Sequence, residues 1–248
     1  MIFFFHKKKI VLDCFTYQVH AKEYAPVKQA AKFLPDWWKR MPKDGGISPN
    51  LYSELNMKSC YGLIDLYKRG VIIPMWSDLR IQLSPNGGVI YQYSDGVSEA
   101  EFHHPKQREG FAPPDKFSHI KLCSPWVFSC KENISWVHVP PIYNQEHNLG
   151  EYITCVGAVN FKYGGSTNIN LLLPLPAQNK LIQIDHGQPI AHIVPLSDKQ
   201  IEVRNHLISK NEYDNLVAKS TSITFLRKYE KIVRIQKHKC PMGYGSDK

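Results

Sequence analysis

Apolar and polar positions alternate through the middle of this chain and recur at helical spacing nearer its ends. The runs VIIPMWSDLRIQLSP and VIYQYS flank Asn86-Gly87-Gly88, a hairpin signature. Residues 120–130, 134–139, 153–162 and 168–173 are rich in β-branched and aromatic side chains and predict four more strands. LIQID and PIAHIVPL follow, around a tight turn at His186-Gly187, and EVRNHLI supplies a last strand. Residues 2–5 and 10–19 predict strands at the start, while 94–118 is polar, carries Gly and Pro, and forms the longest loop. Helical spacing shows first at Val27, Ala30, Ala31 and Leu34, opened by Pro26 and broken by Pro35. Trp37 and Trp38 follow on a short turn, then a loop over 43–56. MKSCYGLIDLYKRG predicts a helix with Ser59 as cap, Leu63, Leu66 and Tyr67 on one face, and Gly70 at its end. SKNEYDNLVAKS and SITFLRKYEKIVRIQKHK predict two more, the second with an apolar stripe of Phe225, Tyr229, Ile232 and Val233.

Many short strands joined by regular turns predict a mainly β protein. The architecture expected is an antiparallel β-sandwich or jelly-roll-like barrel with flanking helices at its N- and C-terminal parts. Residues 1–248 form one domain. Within it, 1–70 pads the core, 71–207 is the antiparallel β core, and 208–248 holds basic amphipathic helices. No helix alternates with the strands, which excludes a parallel α/β sheet.

Composition adds charge to this picture. Lys and Arg total 31 against 22 Asp and Glu, a net charge of +9. That excess fits an acidic partner and equally a basic solvated face. Hydrophobic residues at 43% exclude a disordered chain. The six cysteines form no C-x-x-C pair and no zinc spacing, so they read as buried free thiols in a reducing compartment. In MIFFFHKKK the charges follow a short apolar run, the reverse of a signal peptide, and no run is long enough to span a membrane. A soluble, non-secreted protein with no membrane contact is expected.

Candidate chemistry is sparse. No P-loop, G-x-G-x-x-G or G-x-S-x-G is present, and no cofactor is expected. A non-haem iron oxygenase on a jelly roll needs two histidines and a carboxylate around one metal. The H-x-D and H-x-H patterns of such strands do not occur, which leaves His104, His138 and His192 as ligands that would have to converge from separate strands. His138 alternates in step with Trp136, so it faces the same way as that tryptophan. Buried there, it needs a hydrogen-bond partner and is held neutral, as a core histidine or as a metal ligand. Trp76 and Asp78 lie two apart, sharing one strand face, and fit a pocket with an apolar wall and a polar anchor. The alternative is a core tryptophan with Asp78 ion-paired to Arg80 or a lysine. Arg227, Lys228, Lys231, Arg234 and Lys237 offer a basic helix face, either solvated or gripping nucleic-acid phosphates.

The ordered set PDWWK at 35–39, SCYGLIDLYKRGVIIPMWSDLRI at 59–81, HHPKQ at 103–107, CSPW at 123–126, GQPIAHIVPL at 187–196 and FLRKYEKIVRIQKHK at 225–239 resembles a family of uncharacterised proteins encoded by tailed phages of cyanobacteria and some environmental bacteria. The resemblance spans most of the chain and departs at 141–170, where a tight acidic turn is expected and YNQEHNLGEYITCVGAVNF stands instead. It implies a phage-like origin, a place in the host cytoplasm or the virion, and phage or host proteins as partners. By their place in its motifs, His104, Gln107 and Trp126 join Trp76 and Asp78 as candidate pocket residues. HGQPIAHIVP is also similar to the closing strand of the trimeric deoxyuridine triphosphatase barrel, but that family's acidic catalytic motif is missing and its activity is not carried over. The expected function is binding, in virion assembly or host takeover. The alternatives are a metal-dependent jelly-roll enzyme and a nucleic-acid-binding accessory protein.

Overall fold

The computed structural model describes residues 9–42, 56–146 and 148–221. The strand expected at 2–5, most of the loop at 43–56 and the basic helix at 222–239 lie outside the described residues. The chain is mainly β, built as several sheets that are almost wholly antiparallel.

The first sheet pairs β1 (Ile10–Thr16) with strands from distant parts of the chain. One neighbour is β8 (Val127–Cys130), antiparallel; the other is β16 (Ile201–Leu207), parallel. Two-residue β12 (Gly165–Ser166) lies outside β8. The sequence reading puts residues 1–70 outside the core and makes the core antiparallel throughout. Instead β1 is interior, buried at every second position, and Ile10, Leu12 and Cys14 are fully enclosed. Its IVLDCFT alternation is as regular as that of any later strand, and that alternation, not its place near the chain start, decides its role.

The second sheet runs β11 (Gly157–Val159), β9 (Trp136–Val139), β15 (Pro189–Pro195), β3 (Val71–Pro74) and β2 (Lys28–Gln29). The third is the predicted hairpin of β4 (Leu79–Leu83) and β5 (Val89–Tyr93), with β14 (Lys180–Ile184) on its other edge. The fourth orders β10 (Ile153–Thr154), β13 (Ile169–Pro174), β7 (Phe117–Leu122) and β6 (Ala100–Phe102). One hydrophobic cluster draws on all four, including Phe128, Ile73, Trp136, Ile81, Ile182, Leu122 and Leu171.

β3 is buried on both faces. Val71 and Ile73 enter the main cluster, while Ile72 faces a second one with Ala30, Leu63 and Tyr67. That second cluster is roofed by α3 (Tyr61–Lys68), the predicted helix, which ends at Gly70 as expected. Gly70 holds φ at +79°, and a Cβ there would stand 2.3 Å from the Ile193 carbonyl oxygen, so only glycine fits. The helix expected from Pro26 to Leu34 is absent. Lys28–Gln29 pairs with Ile72 and Val71 as β2, and Ala30–Phe33 makes only a 3-10 turn before Pro35. Two short helices appear beside it, α1 (Val19–Tyr24), which no pattern announced, and α2 (Asp36–Arg40), which carries the tryptophan pair.

A further helix covers 210–221. Ser209 and Glu212 form a capping box at its start: the Ser209 N–H and hydroxyl donate to Glu212 Oε2, and the Glu212 N–H returns to Ser209 Oγ. Tyr213 anchors it, donating to the Ser124 carbonyl at 3.3 Å. Among the described residues no helix is long and apolar enough to cross a membrane.

Candidate functional site

The residues expected to share a pocket are not gathered together. Trp76 and Asp78 sit between β3 and β4, where the chain bends out of one sheet into another, so strand alternation does not apply to them. Trp76 is buried in the main core and donates its indole N–H to Ser98 Oγ at 3.0 Å. Asp78 is exposed and, among the described residues, makes neither of the ion pairs considered for it. Its Oδ1 accepts the His186 backbone N–H at 2.7 Å, tying this bend to the turn before β15. Trp126 is a core residue, and its indole nitrogen has no partner among the described residues. His104 and Gln107 lie on an exposed 3-10 turn, Pro105–Arg108. The His104 ring caps that turn by accepting the Lys106 N–H, and Gln107 Oε1 lies 2.5 Å from His103 Nδ1.

The histidines proposed as metal ligands do not converge. His192 pairs with Val139, and His138 with Ile193. This offset of one residue puts the two imidazoles on opposite faces of the sheet. His192 turns toward α3, beside the Tyr67 ring, and its Nε2 lies 3.0 Å from the Arg69 carbonyl oxygen. It is a satisfied histidine of the second core, and burial pushes its pKa down. Among the described residues, no three His, Cys, Asp or Glu side chains are grouped so as to hold a metal.

His138 shares the inward face with Trp136, as alternation predicts. Its ring lines a cavity of about 200 Å³ with Thr154, Cys155, Ser166, Asn168 and Asn170, where β9, β10, β12 and β13 meet. Burial lowers its pKa to about 4, with no charge or hydrogen bond contributing. The sequence reading expects a hydrogen-bond partner from the protein. The cavity explains why none is needed, because a polar space of this size accommodates water against the ring. Burial also raises the Cys155 thiol, so neither group is charged near neutrality. The thiols as a set are less uniform than expected, with Cys14 and Cys130 buried but Cys60 exposed.

A more spacious concave feature lies elsewhere among the described residues. A groove of about 700 Å³ runs between β2 with its following 3-10 turn and the outer edge of β16. Lys9, Lys28 and Lys32 stand around it, with Phe33, Val27 and Val203 as apolar wall. All three lysines are exposed, and none forms an ion pair among the described residues. Glu202, the one acid of the lining, is engaged by Arg204 Nη2 at 2.7 Å. The groove therefore carries unneutralised positive charge. Two side-chain amides hold its walls together: Gln29 Nε2 donates to the Ile201 carbonyl at 2.6 Å, and Asn205 Nδ2 to the Val27 carbonyl at 2.9 Å. Asn205 Oδ1 is buried without a partner. Sequence reasoning missed this site because its two walls lie some 170 residues apart along the chain. The signal available in the sequence was Lys28 and Lys32 close together with no acid between them. No family model, curated protein or solved structure matches this chain.

Proposed function

We propose that the protein acts by binding, and that the groove between β2 and β16 receives an acidic partner. The observation that carries this reading is the set of three lysines, without ion pairs among the described residues, around a groove of about 700 Å³ whose one acid is already neutralised. The net charge of +9 supports it, because a basic molecule steers acidic partners toward any concave basic site. The volume of about 700 Å³ is that of a ligand groove and larger than the hollow beside Asp78, about 190 Å³. The resemblance to phage-encoded proteins gives this binding a setting in virion assembly or host takeover, with a phage or host protein as partner.

The test is an anisotropy titration with a labelled octapeptide of alternating Glu and Val. Saturable binding is expected, weakened at least about tenfold by Lys28→Glu with Lys32→Glu, since two attractive contacts become repulsive. Lys219→Glu, an exposed control on the helix over 210–221, should leave it unchanged. Equal losses in both variants would overturn the site. Tighter binding of a single-stranded oligonucleotide than of the peptide would favour the nucleic-acid reading.

A further inference from the structure

We propose that the partner enters this groove as an extended peptide and pairs its backbone with Val203 of β16. The inference rests on the groove being the binding site, and adds how the partner is read.

The argument begins with register. β16 runs parallel to β1, with Ile10 opposite Ile201 and Thr16 opposite Leu207. In a parallel pair each residue directs both its N–H and its C=O to the same side, and successive residues alternate. The Ile10 N–H donates to the Gln200 carbonyl, and the Ile208 N–H to the Thr16 carbonyl. Even-numbered residues of β16 therefore spend their backbone groups on β1, and Ile201, Val203 and Asn205 direct theirs outward, into the groove they line.

Those outward groups are not all taken. The Ile201 carbonyl accepts from Gln29, and the Asn205 side chain reaches across to Val27. Between these two bridges the N–H and C=O of Val203 are left facing the groove with no partner among the described residues. Beside them lies Asn205 Oδ1, a buried acceptor that also has none. That acceptor is enclosed and out of a ligand's reach, whereas the groups of half-buried Val203 open toward the groove. The Val203 donor and acceptor, side by side on a strand edge, are what the backbone of an extended peptide satisfies.

Charge then selects the occupant. Exposed lysines along a sheet edge disfavour pairing with a second copy of the same basic chain. With Lys9, Lys28 and Lys32 around the edge and +9 on the molecule, a second copy is repelled and an acidic segment of another protein is drawn in. The bridges at Ile201 and Asn205 leave only Val203 open between them, so pairing is confined to the part of the partner directly opposite that residue.

The experiment separates backbone pairing from charge. Three forms of the same octapeptide are compared: unmodified, N-methylated at every Glu amide, and N-methylated at every Val amide. Charge is identical in all three. An extended strand presents alternate N–H groups on one edge, so one methylated form should lose at least about tenfold in affinity and the other should stay within about threefold. Hydrogen exchange at the Val203 amide should slow in the complex with the unmodified peptide. If both methylated forms bind like the parent and Val203 exchange is unchanged, backbone pairing is overturned while the groove stands. If the unmodified peptide does not bind at all, the groove reading falls and this inference falls with it.

Discussion

At the scale of single residues the informative side chains are those whose polar atoms lack protein partners. The pKa of His138 is about 4 in the fold and about 6.5 when the chain is unfolded. Between those values the unfolded chain holds a proton that the folded one does not. Stability is thus full above about pH 6.5 and falls as pH drops toward 4, by at most about 3 kcal/mol. His138→Gln should flatten urea-derived stability against pH across that window, and an unchanged slope would show that the ring is not desolvated. Trp126 behaves differently. Its indole N–H is enclosed and unpaired among the described residues, so it weakens the core that its ring fills. Trp126→Phe removes that N–H and some ring volume together, and the two effects oppose. Its expected cost is within about 1 kcal/mol in urea titration, against about 3–5 kcal/mol for Trp126→Ala.

At the scale of elements, two contacts decide how the ends of the chain are built in. β1 lies between β8 and β16, so Leu12 is a central core residue. Leu12→Ala should destabilise by about 2–5 kcal/mol, the range for full burial, where a padding strand would lose under about 1 kcal/mol. Gly70→Ala should match or exceed that loss, because its Cβ would meet backbone, which cannot rotate away. Thermal denaturation compares the two directly. These elements also mark how far the sequence could be read. The strands were visible where alternation was regular, as in IVLDCFT and LRIQL, and so was the Asn86-Gly87-Gly88 hairpin, whose turn is set by local backbone preference. Partner choice was not visible. WVFSC and WVHV look like two arms of one hairpin but join different sheets, as do the strands on either side of His186-Gly187. Alternation fixes which face of a strand is buried and says nothing about which strand lies beside it. Trp76 and Asp78 were misplaced for the same reason, because VIIPMWSDLRI reads as one strand and bends between two sheets at those residues. The groove was illegible altogether, since it exists only once β16 has returned to the N-terminal part of the chain.

At the scale of the whole molecule, charge sets stability and binding against each other. A net charge of +9 repels itself in the compact state, and salt relieves that repulsion. The same salt screens the lysines of the groove from an acidic partner. Raising ionic strength from 0.01 to 0.15 M shortens the screening length from about 30 Å to about 8 Å. Melting temperature should therefore rise while affinity for the Glu/Val octapeptide falls. The double reversal Lys28→Glu with Lys32→Glu sharpens the contrast. Each reversal lowers the net charge by two, taking +9 to +5, and neither side chain is buried or, among the described residues, ion-paired. At 0.01 M salt the variant should be at least as stable as the parent and yet bind the peptide far more weakly. Lysines that served only as a solvated face would give no such split, since their reversal would leave the weak, charge-driven association to be lost equally at Lys219. A variant that keeps its stability and loses its ligand is the signature of a site maintained for binding at some expense to the fold. Scanning calorimetry and anisotropy on the same preparations measure both quantities. A fall in melting temperature that parallels the loss of affinity would assign the lysines to the fold and remove the groove from consideration.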